Sequence, residues 1–156
     1  MSHNQLANKE FFVDQLVHID ENIKELTNLY ISSTPVDERR KHFFSLYVLE
    51  LEELLKQNQK NNVISFFPKV FIGTKVTVMY EDDHETEDYV ICFPEQSDPD
   101  NGFISFLSPV GRQLLLRKIG EQLLLKVPTG ELSVSIKEIS FAGDWLENKE
   151  RQSKEA

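Results

Sequence analysis

The chain has 156 residues, 40% of them hydrophobic and 28% charged, which supports one ordinary core with a small appendage. No apolar run approaches the roughly 20 residues that cross a bilayer, and Met1 to Lys9 is polar, so a soluble, cytoplasmic protein is expected. The formal net charge of −9 argues against a nucleic-acid-binding surface spread over the whole molecule, because phosphate contacts need clustered Lys and Arg.

The first third has helical periodicity. Phe12, Leu16, Ile19, Ile23, Leu26 and Tyr30 recur at alternating spacings of four and three, a heptad seam on one face of a helix from about Lys9 to Ile31. After Ser32-Ser33-Thr34-Pro35 the periodicity returns, with Phe44, Val48, Leu51 and Leu55 on one face, flanked by Phe43, Tyr47 and Leu54. Two such seams joined by a short polar turn predict an antiparallel helical hairpin. Thr34 suits an N-cap, Pro35 the first helical position, and Asp37 the acid of a capping box, so the second helix is expected to start there. Each arm of about 23 residues would then reach about 35 Å. Lys56 to Asn62 ends the helical pattern and forms the hinge.

From Val63 onward the period falls to two. Val76, Val78 and Tyr80 alternate with Lys75, Thr77 and Met79, and Tyr89, Ile91 and Phe93 alternate with Val90 and Cys92, as half-buried strands do. Asp98-Pro99-Asp100-Asn101-Gly102 is a turn ahead of a short strand, Phe103 to Leu107. Ser108 as cap and Pro109 at the first position open a helix that the pattern carries through Arg117 toward Gly120. Two more strands follow, Gln122 to Val127 and Leu132 to Phe141. The expected class is α+β: an N-terminal helical hairpin over residues 1–62, a small antiparallel sheet domain with one helix over 63–147, and a polar tail, 148–156, expected to be disordered.

Charge is localised. Nine acids and no Lys or Arg lie between Glu81 and Asp100, so the remainder of the chain balances 17 acids against 17 bases. That acidic lobe reads either as solvated loops or as a contact for a basic partner surface. Cys92, the single cysteine, sits between Ile91 and Phe93 and reads as a small buried hydrophobe. The four histidines have no ligand spacing, so no zinc site is expected.

Ser108-Pro109-Val110-Gly111-Arg112, then Leu114-Leu115, Lys118-Ile119-Gly120-Glu121 and Val127-Pro128-Thr129-Gly130-Glu131, resembles the C-terminal domain of the Gre transcript-cleavage factors in order and spacing. Ile72 to Val78 is similar to that family's first strand, and Cys92-Phe93-Pro94 is similar to a Tyr-Pro step in the related Rnk regulators. The likeness covers about residues 66 to 142, and both groups also carry an N-terminal coiled coil. It implies an FKBP-like domain that docks on the rim of the RNA polymerase secondary channel, with the hairpin aimed into the channel.

The departures from the family matter. Leu116 stands where Gre proteins usually have Gly, and Leu107 replaces a residue they often keep polar or acidic. The family's acidic tip carries an Asp and a Glu three residues apart. Here Asp37 and Glu38 are adjacent and followed at once by Arg39, Arg40 and Lys41. In the Gre mechanism the tip acids help hold a second Mg²⁺ in the polymerase active centre. Asp37 and Glu38 read either as those acids or as capping residues at the positive end of a helix. The basic run reads either as a contact to RNA or a polymerase carboxylate, or as a solvated helix face.

The resemblance thus implies a monomeric, non-enzymatic partner of core RNA polymerase, with no cofactor or metal of its own and no sequence-specific nucleic-acid site. Docking is expected through Leu107, Ser108, Pro109, Val110, Gly111 and Arg112, and the hairpin tip comprises Asp37, Glu38, Arg39 and Arg40. The alternatives are a cleavage-stimulating Gre factor, a prolyl isomerase suggested by the FKBP-like fold alone, and a free-standing adaptor that uses the acidic lobe.

Overall fold

The N-terminal apolar seam does form helix, but in two segments. A computed structural model of the chain describes residues 8–146. Helix α1 spans Asn8–Glu21 and helix α2 spans Ile23–Ser33. At Asn22 the side-chain amide donates to the His18 carbonyl, and the backbone leaves helical geometry at φ −119°, ψ 22°. A side chain that competes for a carbonyl one turn back bends a helix in this way. The bend carries Ile23 out of the seam. Phe12, Ile19, Leu26 and Tyr30 are buried as the heptad pattern requires, whereas Ile23 is 39% exposed.

Helix α3 spans Phe43–Gln57, eight residues later than the Thr34-Pro35 cap implied. At a rise of about 1.5 Å per residue its length is about 22 Å, not 35 Å. Thr34 is extended, its hydroxyl oxygen Oγ1 is buried without a hydrogen-bond partner, and no capping box forms. Val36–Glu38 makes one 3-10 turn, and residues 39 and 40 run on without helical structure. Contacts from Tyr30, to Arg40 N and to the Phe43 ring, hold this link in place of a helix.

Helices α1 and α3 run antiparallel, since Lys9 Nζ donates to the Gln59 carbonyl and Tyr47 Oη to Gln15 Oε1. Asn8 closes the open end by exchanging two 2.8 Å bonds with the Ile64 backbone. The seam of α3 is turned toward the residues expected to flank it. Phe43, Phe44, Tyr47, Leu51 and Leu54 are the buried positions, and Val48 and Leu55 are only half-buried. The chain divides into two compact units, Met1–Ile64 and Ser65–Ala156.

The second unit is a five-stranded sheet in the order β3-β2-β1-β5-β4: β1 Thr74–Tyr80, β2 Thr86–Cys92, β3 Phe103–Ser105, β4 Gln122–Val127 and β5 Gly130–Phe141. Alternation places Val76 and Val78 in the core, together with Val134, Ile136 and Leu125. The pairs β1–β2, β1–β5 and β4–β5 are antiparallel, with a bulge between Thr77 and Val78, but β3 joins β2 in parallel. The sheet is therefore mixed at that edge. The connection from β2 through the turns Pro94–Gln96 and Pro99–Asn101 brings the chain back in the direction it left, and Gly102 completes the return at φ 82°.

The helix after Ser108 is short. Helix α4 spans Pro109–Leu114 and does not continue to Arg117. The following residues are taken by another segment: Leu116 N donates to the Val70 carbonyl, Val70 N to the Arg117 carbonyl, and Ile119 N to the Pro68 carbonyl. Leu116 occupies the left-handed region at φ 65°, the backbone for which glycine is the usual choice. Gln113 of α4 reaches the outer strand, accepting from Lys126 N at Oε1 and donating through Nε2 to the Lys126 carbonyl, both at 2.8 Å.

The acidic residues Glu81 to Asp88 form the exposed β1–β2 turn and the start of β2. Cys92 is buried. Among the described residues no helix is long and apolar enough to cross a membrane. The polar tail over 148–156 lies outside the described residues.

Candidate functional site

The segment from Ser105 to Arg112 is held by a short circuit of hydrogen bonds. Ser105 Oγ accepts from Leu107 N at 3.0 Å, while the Ser105 carbonyl accepts from both Ser108 N and Ser108 Oγ. Ser108 Oγ in turn accepts from Gly111 N at 3.1 Å, the N-cap bond that the sequence implies, and Pro109 occupies the first helical position. Arg112 Nη1 donates back to the Leu107 carbonyl at 2.7 Å. These bonds tie Ser105, Leu107, Ser108, Gly111 and Arg112 to one another, which restricts the shape of the loop.

Gly111 is required by contact distance rather than by its dihedral angles. A β-carbon there would lie 2.0 Å from the Ser105 carbonyl oxygen. Gly111 and Leu107 are buried, so these two of the six expected docking residues shape the loop from within. Pro109 is exposed, and Ser108, Val110 and Arg112 are half-buried. Ser105 was not singled out in the sequence, yet it accepts from two residues of the loop and fixes the approach of Gly111. A lone serine at a strand end carries no signal of that role.

The tip of the helical unit is organised by Tyr30. Its ring stacks on Phe43 with centroids 4.4 Å apart, and its hydroxyl accepts from Arg40 N at 2.8 Å. Arg39 Nε donates to the Thr34 carbonyl at 2.9 Å. The link over residues 34–42 therefore follows a fixed path beside α2, and His42 turns it into α3 at φ 60°. Asp37 and Glu38 are exposed neighbours in the single 3-10 turn, where successive side chains point about 120° apart. Arg39 and Arg40 follow, also exposed. Among the described residues no group of three or more His, Cys, Asp or Glu side chains is placed to hold a metal ion.

In the acidic lobe the Tyr80 hydroxyl bonds to the Glu87 carboxylate and lies 3.5 Å from the Tyr89 hydroxyl. Burial, foremost, together with the Glu87 charge, pushes both phenols above their ordinary range, so they remain neutral donors. At the far end of the sheet Glu121 accepts from Lys118 N at 2.9 Å and from Arg117 Nη1 at 2.7 Å. The backbone bond first, then Arg117, holds its carboxyl below the usual range.

A helical unit ahead of a five-stranded sheet whose Ser-Pro loop is internally wired defines a two-part α+β protein. The family model for the transcription elongation factor GreA/GreB C-terminal domain matches residues 67–141. Transcription elongation factor GreA of Wolinella succinogenes is 36% identical over 108 residues, 65% of this chain and 67% of that protein. GreA of Desulfovibrio desulfuricans is 40% identical over 75 residues, 48% of this chain and 46% of the relative. The chain belongs to the GreA/GreB family of transcription elongation factors.

The match to the Desulfovibrio protein, like those to several other GreA relatives, spans about half of the relative's length. Among solved structures, a GreA/GreB elongation factor from Nitrosomonas europaea aligns with a TM-score of 0.44 at 25% identity, covering 58% of this chain and 79% of that one. GreA factor homolog 1 of Thermus thermophilus aligns over 85% of this chain and 94% of that one, with a TM-score of 0.42 at 17% identity.

Proposed function

We propose that this chain binds core RNA polymerase at the rim of the secondary channel and modulates transcription without stimulating transcript cleavage. The observation that carries the reading is the wired loop Ser105–Arg112, in the stretch matched by the GreA/GreB family model. A loop with its polar groups satisfied internally offers a rigid surface at Pro109 and Val110, which favours docking on a preformed partner face. In this reading the polymerase does any chemistry and the chain is not itself an enzyme.

Divergent carboxylates on Asp37 and Glu38, with Arg39 and Arg40 beside them, support the non-cleaving role. Two acids that point apart next to cations are poorly arranged to share one Mg²⁺. The test is co-purification of tagged full-length chain with its host's core polymerase, followed by a cleavage assay on a stalled elongation complex. Binding that is lost in a Pro109→Ala, Val110→Glu double variant, with no acceleration of cleavage, supports the reading. Cleavage accelerated severalfold, and abolished by Asp37→Ala with Glu38→Ala, would replace it with the cleavage-factor alternative.

A further inference from the structure

The basic run Arg39-Arg40-Lys41 is used by neither the docking loop nor the tip acids. It lines an open-sided cavity at the surface of the helical unit. An extended link fills less of the space beside α2 than a second helix would, and about 440 Å³ remains open between them. Ile23, Thr27 and Ile31 of α2 line one side, Arg39 to His42 the other, and the Tyr30–Phe43 stack borders it. Ile23 and Ile31 are 39% and 43% exposed, unusual for isoleucines within a helical hairpin.

The electrostatics of this hollow oppose those of the molecule. The whole chain carries −9, yet no carboxylate lines the cavity. Among the described residues neither the Arg40 guanidinium nor the Lys41 ammonium has an ion-pair partner. The backbone that carries them is nevertheless pinned, because Arg40 N is bonded to the Tyr30 hydroxyl and Arg39 Nε to the Thr34 carbonyl. Exposed cations carried on a pinned backbone beside an apolar wall form a site for an anion attached to an apolar body. Arg and Lys together suit phosphate oxygens, the first through a fork of donors and the second as a point charge. The volume lies in the range, about 300 to 1,000 Å³, that small-molecule sites occupy.

We infer that this cavity binds a phosphorylated small molecule of mononucleotide size, with its phosphates on Arg40 and Lys41 and its apolar part against Ile23 and Ile31. The inference rests on the first unit alone and is independent of polymerase binding.

Calorimetric titration of the full chain with ADP, inorganic pyrophosphate, adenosine and a short single-stranded RNA tests it. ADP should bind saturably with Kd on the order of 0.1 mM, and pyrophosphate and adenosine each about tenfold more weakly. The double variant Arg40→Glu, Lys41→Glu should lose about tenfold or more in ADP affinity. Ile23→Glu, at an exposed position that leaves the basic run untouched, should weaken ADP to a similar degree and serves if the double variant does not fold. Circular dichroism and melting of each variant check the fold. No saturation with millimolar ADP, or ADP affinity unchanged in the folded variants, overturns the inference. Equal affinity for pyrophosphate and ADP removes the apolar half of the site and also overturns it. So does RNA binding that ADP does not displace, which would assign the basic run to a macromolecule.

Discussion

The phenol of Tyr30 does two things at once: its ring lies on Phe43, planes 9° from parallel, and its hydroxyl holds the backbone of Arg40. One side chain thus ties the end of α2 to both the start of α3 and the link between them. Tyr30→Phe keeps the stack and removes the tie. Its expected cost is about 1 kcal/mol, the usual net contribution of one hydrogen bond. Hydrogen exchange at the Arg40 amide should accelerate more than exchange in the middle of α3. An unchanged Arg40 amide would mean that the link is ordered by other contacts.

The bend at Asn22 predicts unequal costs along one heptad seam. Leu26 is 5% exposed, so Leu26→Ala should destabilise the helical unit by about 2 to 5 kcal/mol. Ile23→Ala, at the exposed position, should cost well under that, about 1 kcal/mol or less. Chemical denaturation of the two variants separates a bent helix from a straight one. Equal losses would return Ile23 to the core.

Glycine at position 111 allows the Ser105–Arg112 loop to close, since any β-carbon would collide with the Ser105 carbonyl. Gly111→Ala should cost about 1 to 3 kcal/mol through the forced shift, and it should weaken polymerase association as the loop opens. Ser108→Ala removes both the cap on Gly111 N and the hydroxyl bond to the Ser105 carbonyl and should cost about 1 to 3 kcal/mol. A Gly111→Ala protein with unaltered melting temperature would show that the loop relaxes freely.

Glu121 makes stability depend on pH with a definite sign. Its carboxyl is held below the ordinary value of about 4.3 by the Lys118 amide and by Arg117, so its contribution is present above that pH. The contribution is lost as the pH falls through the lowered folded-state value. Glu121→Gln should therefore be less stable than the natural chain near neutrality, and the gap should narrow in acid. As Glu121 and Arg117 are each about 30% exposed on their side chains, the gap should be modest and should shrink in salt. A gap that widens in acid would contradict the assignment.

Periodicity made the architecture readable wherever one face is buried: the strands Val76–Tyr80 and Gln122–Val127, the Ser108 cap, and the burial of Phe12, Ile19 and Leu26 all follow from it. It failed where distant chain competes for the backbone. Helix α4 stops because Val70 and Pro68 take the hydrogen bonds of Leu116, Arg117 and Ile119, partners some 50 residues away. Leu116 then accepts a left-handed backbone at φ 65°, a conformation for which glycine is the usual choice.

Helix α3 starts late for a related reason. The capping residues Thr34, Pro35 and Asp37 form a plausible local signal, but the Tyr30 contacts, ten and thirteen residues along the chain, decide the path. At the Ser105–Arg112 loop the cap and the proline were legible, and the roles of Gly111 and Ser105 were not, because both depend on the parallel seat of β3.

Gln113 has a consequence for company. Its amide offers Lys126 one donor and one acceptor, the same pair of groups that a neighbouring strand would offer. An extended peptide or a second copy seeking to lengthen the sheet beyond β4 meets an occupied site, and must expel the glutamine before it can bond. Pro128, just past the end of the strand, supplies no amide hydrogen to start a ladder there. Lengthening of the sheet is thereby blocked at the Lys126 end of β4, where the chain's own glutamine already plays the part of the next strand.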